Sequence, residues 1–243
     1  ISDSCAVFCG GQPVFSLSDV AFSVKDRVIL NGVAFDILKG SRTVLFGENG
    51  CGKTTLLRLI SRLEKPTRGV ILQNISGKFG QKSKQSKKWY KKVGVVYQNP
   101  DYQLFMPTVE KEIKFGAKSD EYADEIAEKF GVKHLYVRHP QSLSEGQKRR
   151  VSIAAVVATA PEVLILDEPT VGQDYKGLCE MTEILNRIHE ETKNTMITVT
   201  HDKRCAAALC DRAVWIKDGK VRKTGGKELA EEFFKDPTGN AKN

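Results

Sequence analysis

The sequence predicts an α/β chain: a mostly parallel sheet with helices, joined by an antiparallel β region and interrupted by an inserted helical subdomain. Three observations predict it. Residues 42–46, "RTVLF", read as a short buried strand that runs at once into the glycine-rich turn "GENGCGKTT" and then into an amphipathic helix. "VLILD" (163–167) and "TMITVT" (195–200) are continuous apolar runs of the parallel-strand kind, with room between them for a helix of about 15 residues. Between residues 99 and 160 the apolar spacing is helical instead.

Taken in order, residues 17–38 alternate like two strands, "SLSDVAFSV" and "VILNGVAFDIL", with Lys25-Asp26 as the turn. After the glycine turn, Leu56, Leu59, Ile60 and Leu63 stand at i, i+3, i+4 and i+7, which predicts a helix ending before Pro66. In the helical block, Tyr122, Ile126 and Phe130 share one face and Gly131 is a stop signal. "LSEGQKRRVSIAAVV" (143–157) starts with Ser144 as a helix cap. Arg149 and Arg150 are expected on a solvated face there, and Val151, Ile153, Ala154, Val156 and Val157 in a core.

Composition bounds the function. At 243 residues the chain suits one large domain, or one core with an inserted subdomain. The longest apolar candidate, residues 151–166, is broken by Ser152, Thr159, Pro161 and Glu162, so no helical span is expected and any membrane role is peripheral. The six cysteines (Cys5, Cys9, Cys51, Cys179, Cys205, Cys210) form no CxxC pair and no zinc-like grouping with histidine, which suits a reduced, cytosolic protein. The net charge of +8 is local, because "KFGQKSKQSKKWYKK" (78–92) holds seven lysines and no acid. With Trp89 and Tyr90 that run has the composition of a nucleic-acid grip, but a solvated loop between strands is the more common cause of such a run. The chain starts at Ile1 with no initiator Met and no n-region plus h-region, so no signal peptide is expected in it, and it reads as an excised piece of a longer protein.

Two stretches carry chemistry. "GENGCGKTT" (47–55) satisfies G-x-x-x-x-G-K-[ST] between a strand and a helix, the arrangement of a P-loop NTPase core. Its glycines let backbone N–H groups close on a phosphate, Lys53 reaches the β/γ oxygens, and Thr54 offers a hydroxyl to Mg²⁺. "VLILDEPT" (163–170) ends a buried strand in two acids. Asp167 is expected to hold Mg²⁺ through water, and Glu168 to orient and deprotonate an attacking water. Solvent-facing acids are the plainer alternative. Cys51, at a helix N-terminus, is expected to have a lowered pKa and raised reactivity.

With these in order, together with Gln98 of "VVYQNP", "LSEGQ" (143–147), "VGQD" (171–174) and "VTHD" (199–202), residues 15–225 resemble the ATP-binding domain of ABC transporters. The resemblance implies a core of residues 15–98 and 161–225, a helical subdomain over 99–160, a leader or linker over 1–14, and a C-terminal helix and tail over 226–243. It implies ATP and Mg²⁺ as ligands. ATP would be held by Gly47, Glu48, Asn49, Gly50, Cys51, Gly52, Lys53, Thr54, Thr55 and Gln98, and in a head-to-tail partner by Ser144, Gly146 and Gln147. Metal contacts would come from Thr54, Gln98 and Asp167, and catalysis from Glu168 and His201. A buried core histidine is the alternative for His201.

"YQNPDYQLF" (97–105) further resembles the energy-coupling-factor ATPases that drive vitamin and cobalt or nickel importers, and "LSEGQKRR" and "EPTVGQD" resemble the second half of duplicated ATPases of that group. The implied setting is the cytoplasmic face of a membrane. The implied partners are a second ATPase domain, an integral coupling subunit seated at Asn99–Phe105 through Tyr102 and Leu104, and a substrate-binding membrane subunit. A soluble ABC-type ATPase acting on nucleic acid or ribosomes is the alternative; no nucleic acid is expected. Two positions depart from the family pattern: Glu145 stands where glycine is usual, and Val24 where an adenine-stacking tyrosine is common, with Phe22 as a substitute.

Overall fold

The structure is a computed structural model that describes residues 11–75 and 87–235. Packing divides the chain into two compact units, one from residues up to 86 and from 195 onward, the other from residues 87–194. Residues 1–10, with Cys5 and Cys9, most of the lysine-rich stretch 78–92, and the tail 236–243 lie outside the described residues.

The first unit opens with β1 (Pro13–Val24) and β2 (Arg27–Leu38), antiparallel about the Lys25-Asp26 turn, where Lys25 takes a φ of 52°. β3 (Arg42–Phe46) leads through the glycine turn into α1 (Lys53–Ile60). β4 (Arg68–Gln73) then pairs with the other edge of β1, giving the order β2-β1-β4. α1 stops a turn earlier than its spacing predicts. Arg62 enters the left-handed region at φ 59°, and the N–H groups of Leu63 and Glu64 both close on the Arg58 carbonyl, so Leu63 is 47% exposed instead of extending the buried face.

The second unit holds α2 (Lys87–Tyr90), β5 (Val93–Val96), α3 (Val109–Lys114), α4 (Asp120–Lys129), α5 (Glu145–Ala158), β6 (Val163–Asp167) and α6 (Tyr175–Thr192). β5 and β6 run parallel, with Val96 opposite Leu166, and α5 packs against β5. That pairing puts β5, β6 and α6 in one compact unit with the helices, so the break in packing falls at residues 87 and 195, whereas the sequence division lies at 99 and 160. The four longer helices of this unit have a local reason to start. Thr108, Ser119, Ser144 and Asp174 cap α3, α4, α5 and α6 with side-chain oxygens on backbone N–H groups.

The chain returns to the first unit with β7 (Thr195–Val199), α7 (Lys203–Leu209), β8 (Arg212–Lys217), β9 (Lys220–Gly225) and α8 (Lys227–Lys235). β7 and β8 flank β3 in parallel and β9 closes the order β7-β3-β8-β9 antiparallel to β8. Val44, Leu45, Phe46, Met196, Ile197 and Ile216 are fully buried, as expected of strands covered on both faces. Among the described residues no helix is long and apolar enough to cross a membrane.

One expectation fails in an informative way. Arg149 does not lie on a solvated face; it is 1% exposed, one of the largest fully buried side chains. On α5 it shares a stripe with Ile153 and Val157, four and eight residues on, and both are buried. Its Nη1 donates to the Tyr97 carbonyl at 2.8 Å and its Nη2 to the Gln98 carbonyl. Burial lowers the Arg149 pKa, while Glu145, Asp167 and Glu168 act to raise it. Arg150 does reach the surface, paired with Glu180 at 2.6 Å.

A buried charge with two carbonyl partners is costly to remove, because the partners lose their donors. Arg149→Met is therefore expected to lower unfolding stability by about 3 kcal/mol, with Arg149→Lys recovering only part because an ammonium does not span both carbonyls as a planar fork does. Urea unfolding of the variants checks this, and a methionine variant as stable as the native chain contradicts it.

Candidate nucleotide-binding site

In the first unit, the site is built where β3 ends. Gly47 has a φ of 153°, and a Cβ there would lie 2.1 Å from the Ile216 carbonyl oxygen, so only glycine lets the chain leave the strand beside β8. Gly52 caps α1 at φ 103°, and a Cβ there would lie 2.6 Å from Leu30 Cδ2 on β2. Between them Glu48, Asn49 and Gly50 are exposed.

Lys53 turns back into this loop. It is 7% exposed, and its Nζ donates to the Gly47 and Glu48 carbonyls at 2.8 Å each. Thr54 is exposed on the first turn of α1 and Thr55 is half-buried. Cys51 departs from expectation. Its thiol is pushed up by burial, and the adjacent Lys53, with Nζ 3.8 Å from Sγ, offsets only part of this.

β7 runs beside β3, so the turn after it leaves from the same end as the loop, with the Thr200 N–H donating to the Leu45 carbonyl at 3.4 Å. His201 there is exposed, which removes the core-histidine alternative. Asp202 caps α7 on the Arg204 and Cys205 N–H groups, and the Arg204 side chain leads in holding its carboxyl below the ordinary value. Val24 is 50% exposed, and Phe22, opposite Leu30, is half-buried.

In the second unit, the remaining predicted residues gather around Arg149. Gln98 follows β5 and is exposed; Asp167 ends β6. Asp167 and Glu168 are 5% and 7% exposed, so the reading of both as solvent-facing acids does not hold. Glu168 takes a φ of 51°, uncommon for a residue with a side chain, and Val171 N–H closes the turn on its carbonyl at 3.3 Å. Ser144 and Gln147 form a reciprocal capping box: the Gln147 N–H donates to Ser144 Oγ at 3.4 Å and the Ser144 N–H to Gln147 Oε1 at 3.1 Å. Ser144 and Glu145 are exposed; Gly146 and Gln147 are half-buried. Gln173 Nε2 donates to the Gly146 carbonyl at 3.1 Å, fixing this turn from the 171–174 loop.

Sequence reasoning missed Arg149 and Gln173, and also Lys148 and Gln141, which tie the 97–104 segment to α5. Lys148 Nζ bonds Asp101 at 2.8 Å and Gln141 Oε1 at 3.1 Å, and Gln141 Nε2 donates to the Leu104 carbonyl at 3.2 Å. The i, i+4, i+8 stripe through Arg149 was the available signal.

The same segment borders a groove of about 240 Å³ whose lining includes Tyr90, Phe105, Phe115 and the half-buried Val156, which was expected in the core. Phe105 and Phe115 meet edge to face at 5.4 Å between centroids and are 67% and 57% exposed. The buried Glu112 carboxylate accepts from the Phe105 and Met106 N–H groups at 2.9 and 2.7 Å and so holds the rim. Tyr102 is 80% exposed, whereas Leu104 is buried and part of the core.

Comparison with known proteins places the chain in a family. The sequence model of the ABC transporter family matches residues 30–171. The energy-coupling factor transporter ATP-binding protein EcfA2 of Enterococcus faecalis is 41% identical over 205 residues, 78% of this chain and 69% of that protein. Among solved structures, cbiO1 from Clostridium perfringens, part of the ABC transporter complex cbiONQ, is similar at a TM-score of 0.78 and 32% identity over 92% of this chain and 91% of that one. A dimeric post-hydrolysis structure of the ATP-binding cassette MJ0796, bound to ADP and Pi, matches at 0.75 and 26% identity over 88% and 98%. The chain belongs to the ABC transporter family, among its ATP-binding and ATP-hydrolysing proteins of the energy-coupling-factor type.

Proposed function

We propose that this chain binds and hydrolyses Mg-ATP and, paired head to tail with a second such domain, powers import through membrane subunits at the cytoplasmic face of a membrane. The observation that carries it is Lys53, buried in a loop of glycines with its ammonium oriented by two loop carbonyls. In this reading the backbone N–H groups of residues 47–55 cradle the phosphates and Lys53 bonds the β/γ oxygens. Mg²⁺, when bound, neutralises developing charge on the phosphates. Thr54, Gln98 and Asp167 offer it a hydroxyl, an amide and a carboxylate, the hard oxygen donors that suit this ion, which shares its coordination with phosphates and water. Among the described residues no cluster of three His, Cys, Asp or Glu side chains forms a metal site by itself.

Glu168 takes the proton of the attacking water, and His201 bonds the γ-phosphate. Ser144, Gly146 and Gln147 serve the partner's nucleotide, and the exposed Glu145 carboxylate brings a like charge there. Residues 15–98 and 161–225 serve as the ATPase core in this reading, 99–160 as its helical subdomain, and 1–14 and 226–243 as flanking segments.

The aromatic groove beside residues 97–105 is assigned to a helical segment of the membrane coupling subunit. Its exposed rings supply apolar contact area, and Arg149, Lys148 and Gln141 tie its border to the helix that carries Ser144. The nucleic-acid alternative is disfavoured by the comparisons and by Trp89, which is 6% exposed and packs edge to face on Tyr90.

Three outcomes are expected. Lys53→Ala loses Mg-ATP binding, whereas Glu168→Gln keeps it and loses at least about 100-fold in turnover, as expected of a general base; titration calorimetry and phosphate release separate the two, and full turnover by the glutamine protein removes Glu168 as the base. A Gly146→Asp chain and a Lys53→Ala chain, each inactive alone, regain hydrolysis when mixed, because one site of the mixed pair is whole. Absent rescue, with the ATP-bound Glu168→Gln protein still monomeric beside its cognate partner by light scattering, excludes action in trans. Finally, Tyr102→Ala lowers stimulation of hydrolysis by the membrane subunit about tenfold without a change in melting temperature, while Leu104→Ala costs about 3 kcal/mol of stability first. The reverse assignment of effects would remove Tyr102 from the docking surface.

A further inference from the structure

α8 is a short amphipathic helix whose buried residues are Leu229, Ala230 and Phe233. The Phe233 ring packs on two residues that are partners across β3 and β8: its centroid lies 4.7 Å from that of Phe46 and 5.3 Å from that of Trp215. All three are buried. Phe234 adds a ring 5.0 Å from Phe233 and 6.1 Å from Phe46. The ion pair Lys223–Glu232 is half-exposed on both sides and contributes little. The aromatic cluster is therefore what attaches this helix to the ends of β3 and β8, beside its packing on α7.

The cluster stands one residue from the phosphate loop on both strands. Gly47 comes directly after Phe46, Ile216 directly after Trp215, and the two meet backbone to backbone at the mouth of that loop. The Gly47 carbonyl in turn orients the Lys53 ammonium. The ends of β3 and β8 thus bear on one of the two carbonyls that hold Lys53, the other being Glu48, and Phe233 is the ring that touches both strand ends.

We propose that Phe233 is a positioning residue for the phosphate loop, and that docking of α8 and binding of Mg-ATP favour each other. The inference rests on the reading of residues 47–55 as the ATP site. Linkage makes the effect reciprocal: a docked α8 tightens ATP, and ATP holds α8 down by the same factor.

The test uses the full chain and Mg-ATP. Phe233→Ala is expected to raise the Kd for Mg-ATP about fivefold or more by titration calorimetry, a typical size for coupling between two sites. Phe233→Leu, which keeps apolar bulk and guards against a misfolded alanine variant, raises it by a smaller factor. Ile126→Ala, a cavity in the core of the second unit, lowers the melting temperature without changing that Kd, which separates positioning from general loss of stability. In hydrogen exchange, Mg-ATP slows the amides of residues 227–235 in the native chain and not in Phe233→Ala. A Kd unmoved by both Phe233 variants, or α8 amides indifferent to Mg-ATP, overturns the proposal while leaving the ATP site standing. A native chain that takes up no Mg-ATP overturns the ATP site and the proposal together.

Discussion

The second unit is organised around one constraint, the burial of the Arg149 guanidinium. A cation removed from water needs acceptors and opposite charge near it, and the fold supplies both: two carbonyls after β5, and the carboxylates of Glu145, Asp167 and Glu168. Holding the two terminal nitrogens of one side chain among these charges therefore brings together the end of β5, the end of β6 and the first turn of α5. The parallel pairing of β5 with β6 and the capping box at Ser144 fix the pieces separately. Arg149 adds a buried polar tie between the first turns of α5 and the chain leaving β5.

Around that centre the polar contacts form a strap. Arg149, Lys148 and Gln141 hold residues 97–104 at both ends and in the middle, so this segment and the start of α5 are braced as one piece. Exposed ion pairs such as Lys148–Asp101 are individually weak. Their weight here comes from acting on a segment already gripped by a buried charge. Gln103 adds to the rigidity from inside, accepting from the Tyr97 N–H and donating to the Val95 carbonyl.

What could be read from the sequence was what the backbone dictates locally. Glycines at fixed offsets between an apolar strand and an amphipathic helix have few structural meanings, and β3, the loop and the start of α1 lie where those residues put them. Buried strands such as β6 and β7 were legible for the same reason. Arg149 and Cys51 differ through what packs around them, and Leu63 through a local turn at Arg62. Adjacent arginines look alike in sequence, yet they point about 100° apart on a helix, and only packing decides that Arg149 goes in and Arg150 out. Leu63 fits a helical stripe that the chain abandons to reach β4. Cys51 sits at a helix start, where a thiol pKa tends to fall, but desolvation outweighs the neighbouring ammonium.

The way Lys53 is held has a consequence for recognition. A free lysine side chain carries roughly 2 kcal/mol of rotamer entropy, which a ligand must ordinarily quench. Here the fold has quenched it already, since two of the three ammonium hydrogens point at loop carbonyls and the third faces only the weak acceptor Cys51 Sγ at 3.8 Å. The loop thus presents its lysine less as a flexible arm than as a fixed post, with two of its N–H bonds already committed to the backbone. Charge alone cannot reproduce it: a guanidinium at the same position would be as positive and wrongly shaped.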